Sequence, residues 1–193
     1  MNNITTRGLR AVRKAALLVL LAAATCQAIA QDQPAYETAL LAYTEVTKVY
    51  DVKKMSESMH PEGLKRFRAT IDAALRGPKK DLATTELLPL FSVSSAEEFA
   101  QLSDREAYER MNHTVSKQAP ELVQIMSAAT FEVVGSFVKE DIAYVTYKLN
   151  TSINGKAVSM QVVQTLKMRD GKWLLLLPST AESSIAGIES RYQ

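Results

Sequence analysis

The chain has 193 residues, with 23 Lys and Arg against 21 Asp and Glu, one cysteine and two histidines. That length buries one adequate core unaided, so a single domain is expected. The near balance of charge gives no electrostatic case for nucleic acid or an anionic membrane as partner, and one cysteine excludes an intrachain disulfide framework.

The first thirty residues read as an export signal. Arg7, Arg10, Arg13 and Lys14 precede ten unbroken apolar residues, 15–24, and Ala28-Ile29-Ala30 is a small-x-small cleavage pattern. A membrane span needs about 20 apolar residues, and this run stops at half of that. Lipid attachment at Cys26 is the main rival, but Ala23 and Thr25 fit its sequence requirements poorly. Cleavage after Ala30 is expected, which places the mature chain in the periplasm or outside the cell with no stable membrane insertion. The expected division is 1–30 signal peptide, 31–178 a single domain and 179–193 a polar C-terminal tail. Removing the leader takes away four of the 23 basic residues and none of the acidic ones, leaving 19 against 21 and a net charge of −2. It also takes away Cys26, so the mature chain has no thiol nucleophile and no cysteine ligand for a metal.

Residues 34–50 have helical periodicity, with Tyr36, Leu40, Tyr43, Thr47 and Tyr50 on one stripe. Asp51 is placed to cap a short helix over 52–58. His60-Pro61 starts a third helix with Leu64, Phe67, Ile71 and Leu75 on its apolar side, and Gly77-Pro78 ends it, the glycine suited to a left-handed cap. The middle is harder to read. Leu87-Leu88-Pro89-Leu90-Phe91 is short and broken by proline, while Ser94 to Glu97 and Ser103 to Glu106 each have capping-box spacing. Ala107, Tyr108, Met111 and Val115 give the second of these helices its apolar side, and Ala119-Pro120 opens another short one.

From Thr130 the period becomes two. Strands are predicted over 131–138, 142–151, 156–169 and 172–177, separated by Glu140-Asp141, Asn154-Gly155 and Asp170-Gly171. Asn-Gly and Asp-Gly suit type I′ turns, whose two central residues both need positive φ, so an antiparallel meander follows. In the third run Val158, Met160, Val162, Leu166 and Met168 alternate with Ser159, Gln161, Thr165, Lys167 and Arg169, a dry face against a wetter one. The last run is apolar on both faces, which points to a central strand or one covered by helices. The fold class is therefore α+β: N-terminal helices packed on a C-terminal four-stranded curved antiparallel sheet.

This order resembles the nuclear-transport-factor-2-like, cystatin-like cone superfamily. The resemblance rests on the Asp51-capped helix, the step His60-Pro61-Glu62, the central Phe67, and the strand openings Glu140-Asp141-Ile142-Ala143-Tyr144-Val145 and Asp170-Gly171-Lys172-Trp173-Leu174-Leu175. It spans most of the chain except the middle helices of 79–118. It implies a cone-shaped sheet, helices across its concave face and a pocket between them. It implies no one function, since the superfamily hosts enzymes, binders and inert domains alike.

Chemistry-bearing residues are sparse. No histidine or cysteine pair has metal-ligand spacing, no nucleophile elbow and no phosphate loop occurs, and no cofactor is expected. His60 reads as a helix cap or a solvated residue, and His113 as a surface residue. Pocket candidates are Tyr43, Tyr50, Phe67, Tyr147, Met160 and Trp173, apolar bodies with a few polar tips, against the simpler reading that they are core. The first functional expectation is a non-catalytic binding or accessory protein of the bacterial envelope. The second is a carrier of a small apolar or lipid-like ligand, and the third an enzyme of proton transfer like ketosteroid isomerase, which would need a buried carboxylate or His60 beside a tyrosine hydroxyl. The outward sheet face with Ser159, Gln161, Thr165 and Lys167 suits either solvent or the wet interface of a homodimer.

Overall fold

Residues 35–127 wind into helices because their apolar residues recur at helical spacing and four of the seven helix starts carry a side-chain cap. The computed structural model describes residues 33–192; the expected cleavage site and Cys26 lie outside them. Seven helices come first: α1 (Ala35–Lys48), α2 (Val52–Ser58), α3 (Pro61–Arg76), α4 (Lys80–Phe91), α5 (Ala96–Ala100), α6 (Asp104–Gln118) and α7 (Pro120–Ser127). Four strands follow, β1 (Thr130–Lys139), β2 (Ile142–Ile153), β3 (Lys156–Arg169) and β4 (Lys172–Leu175), and then α8 (Ser179–Tyr192). Among the described residues no helix is long and apolar enough to cross a membrane.

The caps show how local chemistry sets the boundaries. Asp51 accepts from the Lys54 N–H at the start of α2, as its position predicts, and Pro61 fills the first turn of α3. Ser103 and Glu106 form a reciprocal capping box on α6. The other box is shifted by one residue: Ser95 caps α5 by accepting from the Glu98 N–H, and Glu98 in turn accepts from the Ser94 N–H. Gly77 is not left-handed. Its φ of −74° is open to any residue, and the reason for glycine is space, because a Cβ there would lie 3.1 Å from the Ala73 carbonyl oxygen and 3.3 Å from that of Tyr192.

One run without an assignment finds its place, and two further expectations are corrected. The proline-broken run is the end of α4, with Pro89 inside the last turn, and the left-handed Ser92 (φ 54°) stops the helix. On α6 the inward side is rotated, so that Asn112 and Thr114 are buried with Ala107 and Tyr108 while Met111 and Val115 are half-exposed. The polar tail is a 14-residue helix that buries Ile185 and Tyr192. Its serines do not oppose this, since Ser183 and Ser184 return their hydroxyls to the carbonyls of Ser179 and Thr180.

The sheet is an antiparallel meander in the order β1-β2-β3-β4. All three connections are two residues long, with Lys139 opposite Ile142, Ile153 opposite Lys156 and Arg169 opposite Lys172. Asn154 and Gly155 (φ 51° and 73°) and Asp170 and Gly171 (φ 49° and 75°) take the paired positive φ that a type I′ turn needs. Val134 is an extra residue in β1, a bulge that bends the strand. The register puts Ala143, Val145, Val162, Gln164, Leu166 and Leu175 on the face beneath the helices, where all are buried. Phe67, Phe91, Phe99 and Tyr108 meet edge-on or tilted to build the helical side of the core.

The apolar last strand is neither central nor long. β4 is a four-residue edge strand, and Leu176 and Leu177 lie beyond it. Among the described residues its outer edge is met at one position only, where Met59 pairs in parallel with Leu175 and the His60 N–H donates to the Leu175 carbonyl at 2.7 Å. The opposite face of the sheet is less polar than β3 predicts: Phe137, 61% exposed, stacks on Tyr144, and Val163, opposite Thr146, is exposed on the same face.

Candidate functional site

The six pocket candidates separate into an interior group and two outlying residues. Tyr43 on α1 reaches the inner sheet face, where its hydroxyl meets that of Tyr108 from α6 at 3.5 Å and Tyr147 of β2 lies close by. Tyr50, left-handed just past α1 (φ 52°), donates its hydroxyl to Asn112 Oδ1 at 3.3 Å, and Asn112 Nδ2 donates to the Tyr108 carbonyl. Phe67 packs edge-on against Tyr108 with ring centroids 6.1 Å apart. Tyr43, Tyr50 and Phe67 therefore come together through Tyr108 and Asn112, with Tyr147 close to Tyr43. The Tyr147 ring itself packs against Phe131, with centroids 5.8 Å apart.

Burial sets the electrostatics of this cluster. It pushes the Tyr43 hydroxyl well above the ordinary tyrosine range, and the nearby Tyr108, Tyr147 and Tyr50 oxygens add to the shift. Tyr108, Tyr147 and Tyr50 are raised as well, each mainly by desolvation. Such hydroxyls stay protonated and donate hydrogen bonds. None of them is hydrogen-bonded to a carboxylate or an imidazole among the described residues, and the buried polar side chains there include no Asp or Glu. His60 is buried at the head of α3, where its Nδ1 accepts the Glu62 N–H at 3.2 Å. Burial holds its pKa below the ordinary value, helped by Lys167 and Arg169 and opposed by Glu62 and Asp141. It is a cap, as one sequence expectation had it, and not solvated. His113 is exposed. No group of three or more His, Cys, Asp or Glu among the described residues could hold a metal ion.

Met160 and Trp173 lie outside the cluster. Met160 is 43% exposed on β3. Trp173, half-buried on β4, meets Tyr36 of α1 edge-on at 5.6 Å and forms one wall of a cleft of about 540 Å³. The opposite wall is the α1 side carrying Ala35, Ala39 and Ala42, spaced i, i+4, i+7 so that three small side chains face the same way. Lys54, Glu57 and Lys172 stand at the cleft with these apolar groups. A concave apolar lining with a few charged groups is the usual composition of a binding site. Two other clefts are more polar. One of about 620 Å³ runs between Arg76, Lys80 and Asp81 and the Ser94 to Ala100 turn, and one of about 370 Å³ lies along α3 beside Glu189. Tyr43, Tyr50, Phe67, Tyr147 and Met160 line none of the three.

Sequence reasoning missed the parts that organise these features. Tyr108 and Asn112 join the tyrosines, and a Tyr-x-x-x-Asn spacing on a helix gives no sign of that. Nothing in the sequence marks the alanines opposite Trp173 as one wall of a cleft. Comparison of the chain with protein-family models, curated proteins and solved structures gives no match.

Proposed function

We propose that the mature chain is an exported, non-catalytic binding protein of the bacterial envelope and that it binds through the Trp173 cleft. One observation carries this reading: the interior tyrosines line none of the three clefts, whereas the cleft beside Trp173 joins an aromatic wall, small apolar side chains and charged rim groups around about 540 Å³ of open space. The export signal supports the location, and helices followed by an antiparallel meander support membership in the cone-shaped superfamily that the sequence resembles.

Trp173 is the only tryptophan in the chain, so its fluorescence reports on the cleft directly. Titration with the apolar fluorophore anilinonaphthalene sulfonate should quench Trp173 by energy transfer with one site per chain. Ala39→Arg, which fills the cleft from the α1 side, should abolish this. Quenching that survives in Ala39→Arg, or none in the parent, defeats the reading. N-terminal sequencing of protein from the envelope fraction should begin at Gln31.

A further inference from the structure

Resting on that reading of the cleft, we infer that its occupant is an extended apolar peptide segment of another chain, bound by strand addition to the edge of β4. The cleft follows the strand edge and not one sheet face, because consecutive residues of both faces, Lys172 through Leu175, line it. Successive residues of an antiparallel strand turn their backbone groups to alternate sides. Leu176 donates its N–H to Thr165 of β3, and the Leu175 carbonyl accepts from His60 on the opposite side. Trp173, two residues before Leu175, therefore directs its N–H and C=O to the open edge, as Leu175 does. The same alternation appears in β3, where Met168, the partner of Trp173, donates away from β4 to the Asp141 carbonyl.

The chain itself shows that this edge accepts a strand. Met59 pairs with Leu175 in the parallel sense, but Ser58 before it is already helical, so the pairing stops two residues short of Trp173. Among the described residues, what remains beside Trp173 is a backbone donor and acceptor next to an apolar trough. An acyl chain would fill the trough and leave those two groups unpaired. A peptide in extended conformation would satisfy both and place alternate side chains against the tryptophan and the small α1 residues. The edge is short and its far end is closed by Met59, which limits pairing to a few residues.

A displayed library of random heptapeptides is the probe. Selection on the intact mature chain should enrich peptides with apolar residues at alternate positions, and these should shift Trp173 emission on binding. N-methylation of alternate peptide nitrogens should weaken the best binder at least tenfold in one register and little in the other. This comparison needs no protein variant, while Ala39→Arg should also abolish binding. Anilinonaphthalene sulfonate binding without enrichment of any such peptide would overturn the strand-addition inference and leave the binding-protein reading standing. Quenching of Trp173 by oleate alone would assign the cleft to acyl chains, and a dimer dissolved by Ala39→Arg would assign it to a second copy; either overturns the inference.

Discussion

His60 and Leu175 are joined by a backbone hydrogen bond of 2.7 Å that ties the head of α3 to the outer edge of β4. The same histidine caps the start of α3 through Nδ1, so one residue both opens a helix and bonds a strand edge. The imidazole can accept the Glu62 N–H only while that nitrogen is unprotonated.

This makes stability depend on pH with a definite sign. The folded-state pKa of His60 lies below its ordinary value of 6.5, chiefly through burial. Its contribution is therefore present above about pH 6.5 and is lost as the pH falls below that. Urea denaturation at pH 7.5 and at pH 5 should show a larger loss for the parent than for His60→Asn, whose side chain keeps an acceptor without titrating. Equal losses would remove His60 as the cause.

At the alkaline end the buried hydroxyl of Tyr43 acts in the opposite direction. Its pKa is raised in the folded state, so stability is retained below about pH 10 and lost as the pH rises past it. Tyrosinate absorbance should appear together with the loss of tertiary circular dichroism. Tyr43→Phe should cost about 1 kcal/mol at neutral pH, the size of one ordinary hydrogen bond, and should move the alkaline transition upward. A transition unchanged in that variant would place the sensitivity elsewhere.

Gln164 is 2% exposed on the inner face of β3, and its amide nitrogen donates to the Leu176 carbonyl at 2.7 Å and to that of Thr165 at 2.9 Å. It holds the chain where β4 ends. Gln164→Leu keeps much of the volume but leaves the Leu176 carbonyl without its donor, a cost of about 1–3 kcal/mol. A variant as stable as the parent in urea would show that water or a shifted backbone takes over this bond.

The C-terminal helix is part of the folded unit. Ile185, 3% exposed, should cost about 2–5 kcal/mol when changed to Ala. Tyr192 and Arg191 both bond Glu86 of α4, anchoring the far end of α8. Truncation after Pro178 should lower the thermal midpoint by several degrees and expose surface that binds anilinonaphthalene sulfonate. An unchanged midpoint would make α8 an appendage.

Local chemistry by itself determined the helix starts at Asp51, Pro61 and Ser103, the turns at Asn154-Gly155 and Asp170-Gly171, and hence the α+β order and the meander, because caps and tight turns are settled within four residues of chain. It did not determine Pro89 inside α4, the helix of the C-terminal tail, the rotation of α6 that buries Asn112, or the edge position of β4. Those were decided by packing between segments far apart in the sequence. Ile185 and Tyr192 gain burial only where α3 and α4 already stand, and beyond β3 the apolar run Trp173 to Leu177 meets α1, Met59 and the Gly63 turn of α3 and not another strand. The site follows the same division: Trp173 stood out in the sequence, while the alanines facing it and the open backbone beside it exist as a cleft only once α1 and β4 are brought together.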